Sequence, residues 1–236
     1  AELYAITYAY IPNEAASNVS IIDTQSRSVV GTITSGSFAF PAGAAVTQDG
    51  SRAYFTNRVA NPGTLSVVDT VNRTVISTIT VGTIPIGVAV SPDGSKIYVS
   101  NTGSNNVSVI NSNTYNVDAT VPVGNSPIGL AVSPDGSHVY VTNSVDNTVT
   151  VFETSGNSIT NTFNVGTEPV GISISPNGSN VYISNYSSNN LSVFNVASSS
   201  ITTIPVGTNP YGVSVSPNGS KVYVANFNSG SVSVID

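Results

Sequence analysis

Residues 133–152 read SPDGSHVYVTNSVDNTVTVF, and nearly the same phrase stands on both sides of it. SPDGSKIYVSNTGSNNVSVI begins at Ser91, SPNGSNVYISNYSSNNLSVF at Ser175 and SPNGSKVYVANFNSGSVSVI at Ser216. The glycine of an upstream P-x-G element sets the period: Gly43, Gly87, Gly129, Gly171 and Gly212 are spaced by 44, 42, 42 and 41 residues. A fixed period near 40 with strand-like content marks a repeat fold, in which each unit needs its neighbours to bury its faces.

Within the unit that starts at Pro127, four strands are expected: 128–133, 138–143, 148–152 and 158–165. Alternating β-branched residues support strands throughout, and no helical stripe appears. Pro134 presets φ and Gly136 accepts a positive φ, so PDG is a turn between the first two strands. Four short antiparallel strands per unit at this period predict an all-β fold, a β-propeller of four-stranded blades. A sandwich with internal similarity is the alternative, but it would not repeat the same turn chemistry in register. The whole chain, 1–236, reads as one domain with blade units near 1–36, 37–82, 83–124, 125–166, 167–207 and 208–236.

Tyr140-Val141-Thr142-Asn143 spells YVTN, with counterparts ending at Asn13, Asn57, Asn101, Asn185 and Asn226. With the upstream V-G-x-x-P-x-G and the downstream N-x-V-S-V-I, the chain resembles the YVTN-type β-propeller repeat family. That resemblance implies kinship with archaeal surface-layer and other cell-surface proteins. Naming the strands a to d outwards from the axis, the chain holds six b and six c strands but five a and five d strands. It opens on b, at residues 3–10, and stops on c, at 231–236. The expected ring has about six blades with incomplete first and last units, or seven if the chain is part of a longer one. Its open blade edges are hydrogen-bonding templates. They suggest assembly with other subunits, as a homo-oligomer or filament.

Charged residues are 8% of the chain, against roughly 25% in an average soluble domain. The net charge is −6 and no Lys/Arg cluster exists, so a nucleic-acid partner is not expected. The lack of Cys rules out disulfides and thiol chemistry. No apolar run approaches the ~20 residues of a membrane span. A start at Ala1-Glu2 suggests a processed N-terminus. Seven N-x-S/T sequons (Asn18, Asn72, Asn106, Asn177, Asn185, Asn190 and Asn218) and a Ser/Thr/Asn-rich surface lean towards an extracellular or cell-surface location.

Strand direction places the d-to-a and b-to-c loops on one side, the loop face, and the P-D/N-G turns on the other, the turn face. The d-to-a loops read SGSFAFPAG, VGTIPIG, VGNSPIG, VGTEPVG and VGTNPYG, among which only Glu168 is ionisable. The b-to-c loops add Glu14, Arg58 and Asp146, with aromatic Tyr186 and Phe227. Arg58, Glu168, Tyr186, Tyr211 and Phe227 are therefore the candidate ligand or partner face. Acid–base catalysis wants paired titratable groups. The single His138 sits where other repeats carry Lys96, Asn180 and Lys221, a solvent-facing place. The motif residues Asn57, Asn101, Asn143, Asn185 and Asn226 read as structural, because Asn bonds neighbouring amides at turns. Asp49, Asp93 and Asp135 give way to Asn177 and Asn218 in the same turn, which argues against a catalytic or metal duty. No D-x-D-x-D-G calcium loop and no phosphate-binding glycine loop is present. The expectation is a non-enzymatic structural or adhesive propeller without a cofactor, partnered by proteins or cell-surface components. A carbohydrate- or ligand-binding module is the alternative, and a lyase- or lactonase-like enzyme comes third.

Overall fold

The computed structural model describes residues 7–58 and 61–236, which form twenty-two strands in six antiparallel sheets. The first blade is β1 (Tyr8–Asn13), β2 (Asn18–Asp23) and β3 (Ser28–Thr34). The second is β4 (Pro41–Val46), β5 (Arg52–Asn57), β6 (Thr64–Asp69) and β7 (Thr74–Thr80). The third runs β8 (Pro85–Val90), β9 (Lys96–Asn101), β10 (Asn106–Asn111) and β11 (Val117–Pro122). The fourth runs β12 (Pro127–Val132), β13 (His138–Asn143), β14 (Thr148–Glu153) and β15 (Ile159–Asn164). The fifth comprises β16 (Pro169–Ile174), β17 (Asn180–Asn185), β18 (Asn190–Asn195) and β19 (Ser200–Pro205). The sixth ends with β20 (Pro210–Val215), β21 (Val222–Asn226) and β22 (Ser231–Ile235). Strands are consecutive in every sheet, as in a propeller blade, and the first and last blades have three strands. Of the expected opening strand, 3–10, residues 3–6 lie outside the described residues, and β1 covers Tyr8–Asn13.

Alternation along each b strand divides its side chains between two neighbours. Ile97 and Val99 of β9 join Tyr54, Leu65 and Val67 of the second blade in one buried cluster. Tyr98, between them, joins Val139, Val141 and Phe152 of the fourth blade in the next. The core is thus a series of five apolar layers between blades, and each fully buried Val or Leu contributes about 1.5–3 kcal/mol.

The P-x-G element and the third letter of YVTN together form the seam. Each a strand bulges at that element; in β12 the register jumps between Pro127 and Leu130. The bulge brings Gly87 N–H to Ser100 Oγ at 2.8 Å, and the same hydroxyl donates to the carbonyl of Ile128, in the next blade, at 2.6 Å. Thr56, Thr142 and Ser184 repeat both bonds towards Ile86, Val170 and Tyr211. At the last blade the seam residue is Ala225, which has no hydroxyl to give. Its flank is exposed: Tyr223 is 42%, Val232 60% and Val234 55% accessible, where Tyr98 and Val107 of the third blade are 0%.

On the turn face, Gly136 adopts φ +73° and the carboxylate of Asp135 accepts from Ser133 Oγ and from Ser137 N–H at 3.0 Å. These bonds, the hydroxyl's first and the backbone amide's next, pull Asp135 down to about 2, and equivalent serines do the same for Asp93. Asn177 and Asn218 hold the same turn through Ser175 and Ser216. A carboxylate depressed in the folded state stabilises it fully above its unfolded value and loses that contribution as pH falls through the folded one. Melting temperature is therefore expected to drop between pH about 4 and about 2, and to drop less in an Asp93→Asn/Asp135→Asn variant that keeps both turns. An identical pH slope in the variant would refute the assignment.

Candidate functional site

The loop face is built on a constant frame that displays a changing side chain. In the third blade, the motif residue Asn101 is buried, donates to Asn106 Oδ1 at 2.8 Å and Ser108 Oγ at 2.9 Å, and accepts from Gly82 N–H at 3.1 Å. A Cβ on Gly82 would lie 2.6 Å from Asn101 Cγ, so the loop glycine rests directly on the asparagine. Gly124, Gly166 and Gly207 rest in the same way on Asn143, Asn185 and Asn226. Asn105, Asn147 and Asn189, each at positive φ in a b-to-c loop, accept from the N–H of Ser126, Glu168 and Asn209 at 2.8–2.9 Å. Those last three, with Phe40 and Ile84, occupy the position before the proline, and all five have φ between +51° and +58°.

Non-glycine residues rarely adopt that conformation, and five different side chains sharing it are held there by the frame. The pre-proline residue is thus fixed in backbone and free in chemistry, the property expected of a specificity position. Only Glu168 brings a charge to it.

Four of the five candidate residues gather at the fifth and sixth blades. The exposed carboxylate of Glu168 accepts from the Ser187 hydroxyl, and Tyr186 N–H bonds the Glu168 carbonyl at 2.9 Å. The Tyr186 and Tyr211 rings meet edge-on, with centroids 6.4 Å apart. Tyr211 and Phe227 also border the exposed flank of the sixth blade, beside Ala225, Asn226 and Val232. Arg58 is not brought to this group: it pairs with Glu14 of the first blade at 2.8 Å. Asp146 is occupied by Asn125, whose backbone and side-chain N–H bonds lower its carboxyl below the ordinary range.

Further clefts lie on the turn face, where the sequence points to no site. One forms at each junction from the first to the fifth blade, with Tyr10, Tyr54, Tyr98 or Tyr140 among its walls, and that between the second and third blades measures about 690 Å³. The recurring motif tyrosine was the signal that could have located them. His138 lines the cleft between the fourth and fifth blades, its Nδ1 2.7 Å from Ser137 Oγ.

Two family models match, each over just over half of the chain. The seven-bladed β-propeller lactonase model matches residues 116–236, and the cytochrome D1 haem domain model matches residues 7–127. No curated protein sequence matches. Among solved structures, hydrazine synthase of Kuenenia stuttgartiensis aligns with TM-score 0.63 and 20% identity over 97% of this chain and 92% of its own. A functionally unknown protein from Desulfotomaculum acetoxidans DSM 771 aligns with TM-score 0.81 and 20% identity over 98% and 79%. A chain of the mitotic checkpoint complex aligns with TM-score 0.82 and 18% identity over 96% and 69%. At these identities the structural matches speak for the fold.

The family matches correct two expectations. They support a β-propeller but not a surface-layer kinship or an adhesive role, and they overturn the expectation of a non-enzymatic chain, since both families are enzyme-related propellers. That expectation rested on the scarcity of paired titratable groups in the loops. A lone positioned carboxylate meets the same chemical need when water is the nucleophile.

The haem that the second family's name implies does not fit the residues present. Haem iron is held by an imidazole, thiolate or thioether, or more rarely by a tyrosine phenolate. The motif tyrosines Tyr54 and Tyr98 of this stretch are buried in the layers between blades, where burial pushes their phenols up to about 12. Residues 7–127 contain no His, Cys or Met, and His138 lies outside that stretch, on the turn face against Ser137.

Proposed function

Since the chain belongs to the lactonase family of seven-bladed β-propellers over residues 116–236 and to the cytochrome D1 haem-domain propellers over residues 7–127, we propose that its loop face binds and hydrolyses a cyclic ester, with Glu168 as the base. The observation that carries this reading is the arrangement inside the lactonase-matched half: one carboxylate at a specificity position beside the Tyr186–Tyr211 pair. The rings offer an apolar wall to a five- or six-membered ring, and Glu168 takes a proton from a water that attacks the ester carbonyl. The ring C–O bond then breaks, the alkoxide leaving group takes the proton back, and the product is a hydroxy acid. Ser187, which donates to Glu168, is placed to hold that carboxylate in position.

The test is hydrolysis of a panel of γ- and δ-lactones, followed by base uptake at constant pH. Glu168→Gln is expected to lower turnover about a hundredfold, the scale of a lost general base. Tyr211→Ala should raise KM with less effect on kcat. If no lactone is opened faster by the wild type than by Glu168→Gln, the reading fails.

A further inference from the structure

The cleft between the first and second blades, on the turn face, measures about 640 Å³ and is walled by Tyr8, Tyr10, Val46, Asp49, Val71 and Arg73. Its lining departs from that of the other junctions. Tyr8 is 36%, Val46 40% and Val71 82% exposed, so three large apolar side chains open on one cleft. The junction of the fourth and fifth blades has Val196 alone in that state, and the two junctions between have none. Apolar surface gathered in an open concave place marks a binding surface.

The charges of the cleft are unmet as well. Among the described residues, four of the six Lys and Arg side chains meet a carboxylate: Arg52 at Asp69, Arg58 at Glu14, Lys96 at Asp118 and Lys221 at Asp236. Arg73 meets none. Its guanidinium lies over the Tyr8 ring, 5.8 Å from the centroid, and gives one N–H to the Val30 carbonyl at 3.4 Å. A guanidinium carries five N–H groups, so most of its donors stay unspent. Asp49 accepts from the Thr47 hydroxyl, the Ser51 N–H and the Ser51 hydroxyl, all at Oδ1, and among the described residues Oδ2 accepts nothing. In Asp93 and Asp135 the serines occupy both oxygens. The Thr47 hydroxyl first, and then the Ser51 groups, hold the Asp49 carboxyl down to about 2, so it is charged at neutral pH. Arg73 and Asp49 form no ion pair with each other, and the cleft therefore presents one unmet cation and one unmet carboxylate oxygen.

Together these features narrow the guest. An anion would meet Arg73 but be repelled by Asp49, and a cation would face the reverse. A metal ion would leave the apolar walls bare, and an uncharged apolar molecule would cover both charges without pairing them. We propose that this cleft binds an apolar zwitterion, an amino acid or short peptide. Its carboxylate takes paired N–H bonds from Arg73, its ammonium group meets Asp49 Oδ2, and its side chain packs against Tyr8, Val46 and Val71. The volume falls within the range of small-molecule sites. The site is on the opposite face from Glu168 and does not depend on lactone hydrolysis.

The test is calorimetric titration with L-phenylalanine and L-leucyl-L-phenylalanine, alongside 3-phenylpropionate and phenethylamine, which each carry one of the two charges. At least one zwitterion is expected to bind with a millimolar Kd, and both singly charged compounds about tenfold more weakly. The tighter zwitterion tells an amino-acid site from a peptide site. Arg73→Gln should weaken the zwitterion and 3-phenylpropionate alike, about tenfold. Asp49→Asn should weaken the zwitterion to the same degree without weakening 3-phenylpropionate. Arg73 also touches the first blade through Val30, so Asp49→Asn is the deciding variant. Asparagine already serves the same turn in the fifth and sixth blades, and circular dichroism is expected to show that variant folded. The proposal is overturned if no zwitterion binds, if either singly charged compound binds at least as tightly, or if Asp49→Asn leaves the zwitterion's affinity unchanged.

Discussion

Gly87→Ala is expected to destabilise the protein by about 3 kcal/mol, the upper end for overpacking a tight contact. The added methyl would sit 2.4 Å from the Ile128 carbonyl oxygen and 2.8 Å from Ser100 Oγ. Neither is the movable end of a flexible side chain. The carbonyl belongs to the next blade's bulge, and Ser100 Oγ already serves two bonds that fix the distance between blades. Relief requires the third and fourth blades to separate, which opens the layer holding Tyr98, Val139 and Phe152. Gly212→Ala supplies the internal control. It is the same element in the last blade, where nothing lies within 4 Å of the added Cβ, so its cost is expected within about 0.5 kcal/mol. Urea unfolding of the two variants decides the matter: equal losses would mean that glycine serves local backbone freedom, and unequal ones that it serves blade contact.

The contrast between those two glycines also shows how far the fold could be read without coordinates. The period, the P-D/N-G turns and the β-branched alternation give the strand order and a count of about six blades, which the structure shows as six sheets. β13 coincides with the expected 138–143, because turn residues punctuate it at both ends. For the first strand, alternation alone marks 3–10, while the motif match through Asn13 marks the far end of the pairing with β2. What a repeat hides is the difference between equivalent positions. Tyr54, Tyr98 and Tyr140 share a letter in the motif, but only Tyr98 keeps a buried hydroxyl without a partner.

The site was legible to the same degree. Glu168 stood out as the one charged residue in the d-to-a loops, and Tyr186, Tyr211 and Phe227 as aromatics on the same face. Their proximity follows from the adjacency of the fifth and sixth blades. Arg58 shared the face but not the blades, and its partner is Glu14. The left-handed backbone at Phe40, Ile84, Ser126, Glu168 and Asn209 had no compositional signature, because such positions usually announce themselves through glycine or asparagine and here mostly do not. The frame imposes that conformation, and no single residue type does.

That frame makes the second expected result. Asn101→Ala is predicted to cost about 3 kcal/mol, because it leaves the part-buried Gly82 N–H and the buried Ser108 hydroxyl without their partners. Each orphaned group costs about 1–3 kcal/mol, and the missing amide leaves a void beneath the loop. Asn226→Ala, one of the same series, should cost less than half as much. Its Oδ1 has no partner to lose, and the strand that its amide bonds, β22, is exposed at Val232 and Val234, so water replaces what the side chain gave. Chemical denaturation of both variants tests this. Equal costs would mean that the asparagines act by filling space alone. The expected inequality ties the support of the Gly82 loop to the side-chain amide of Asn101.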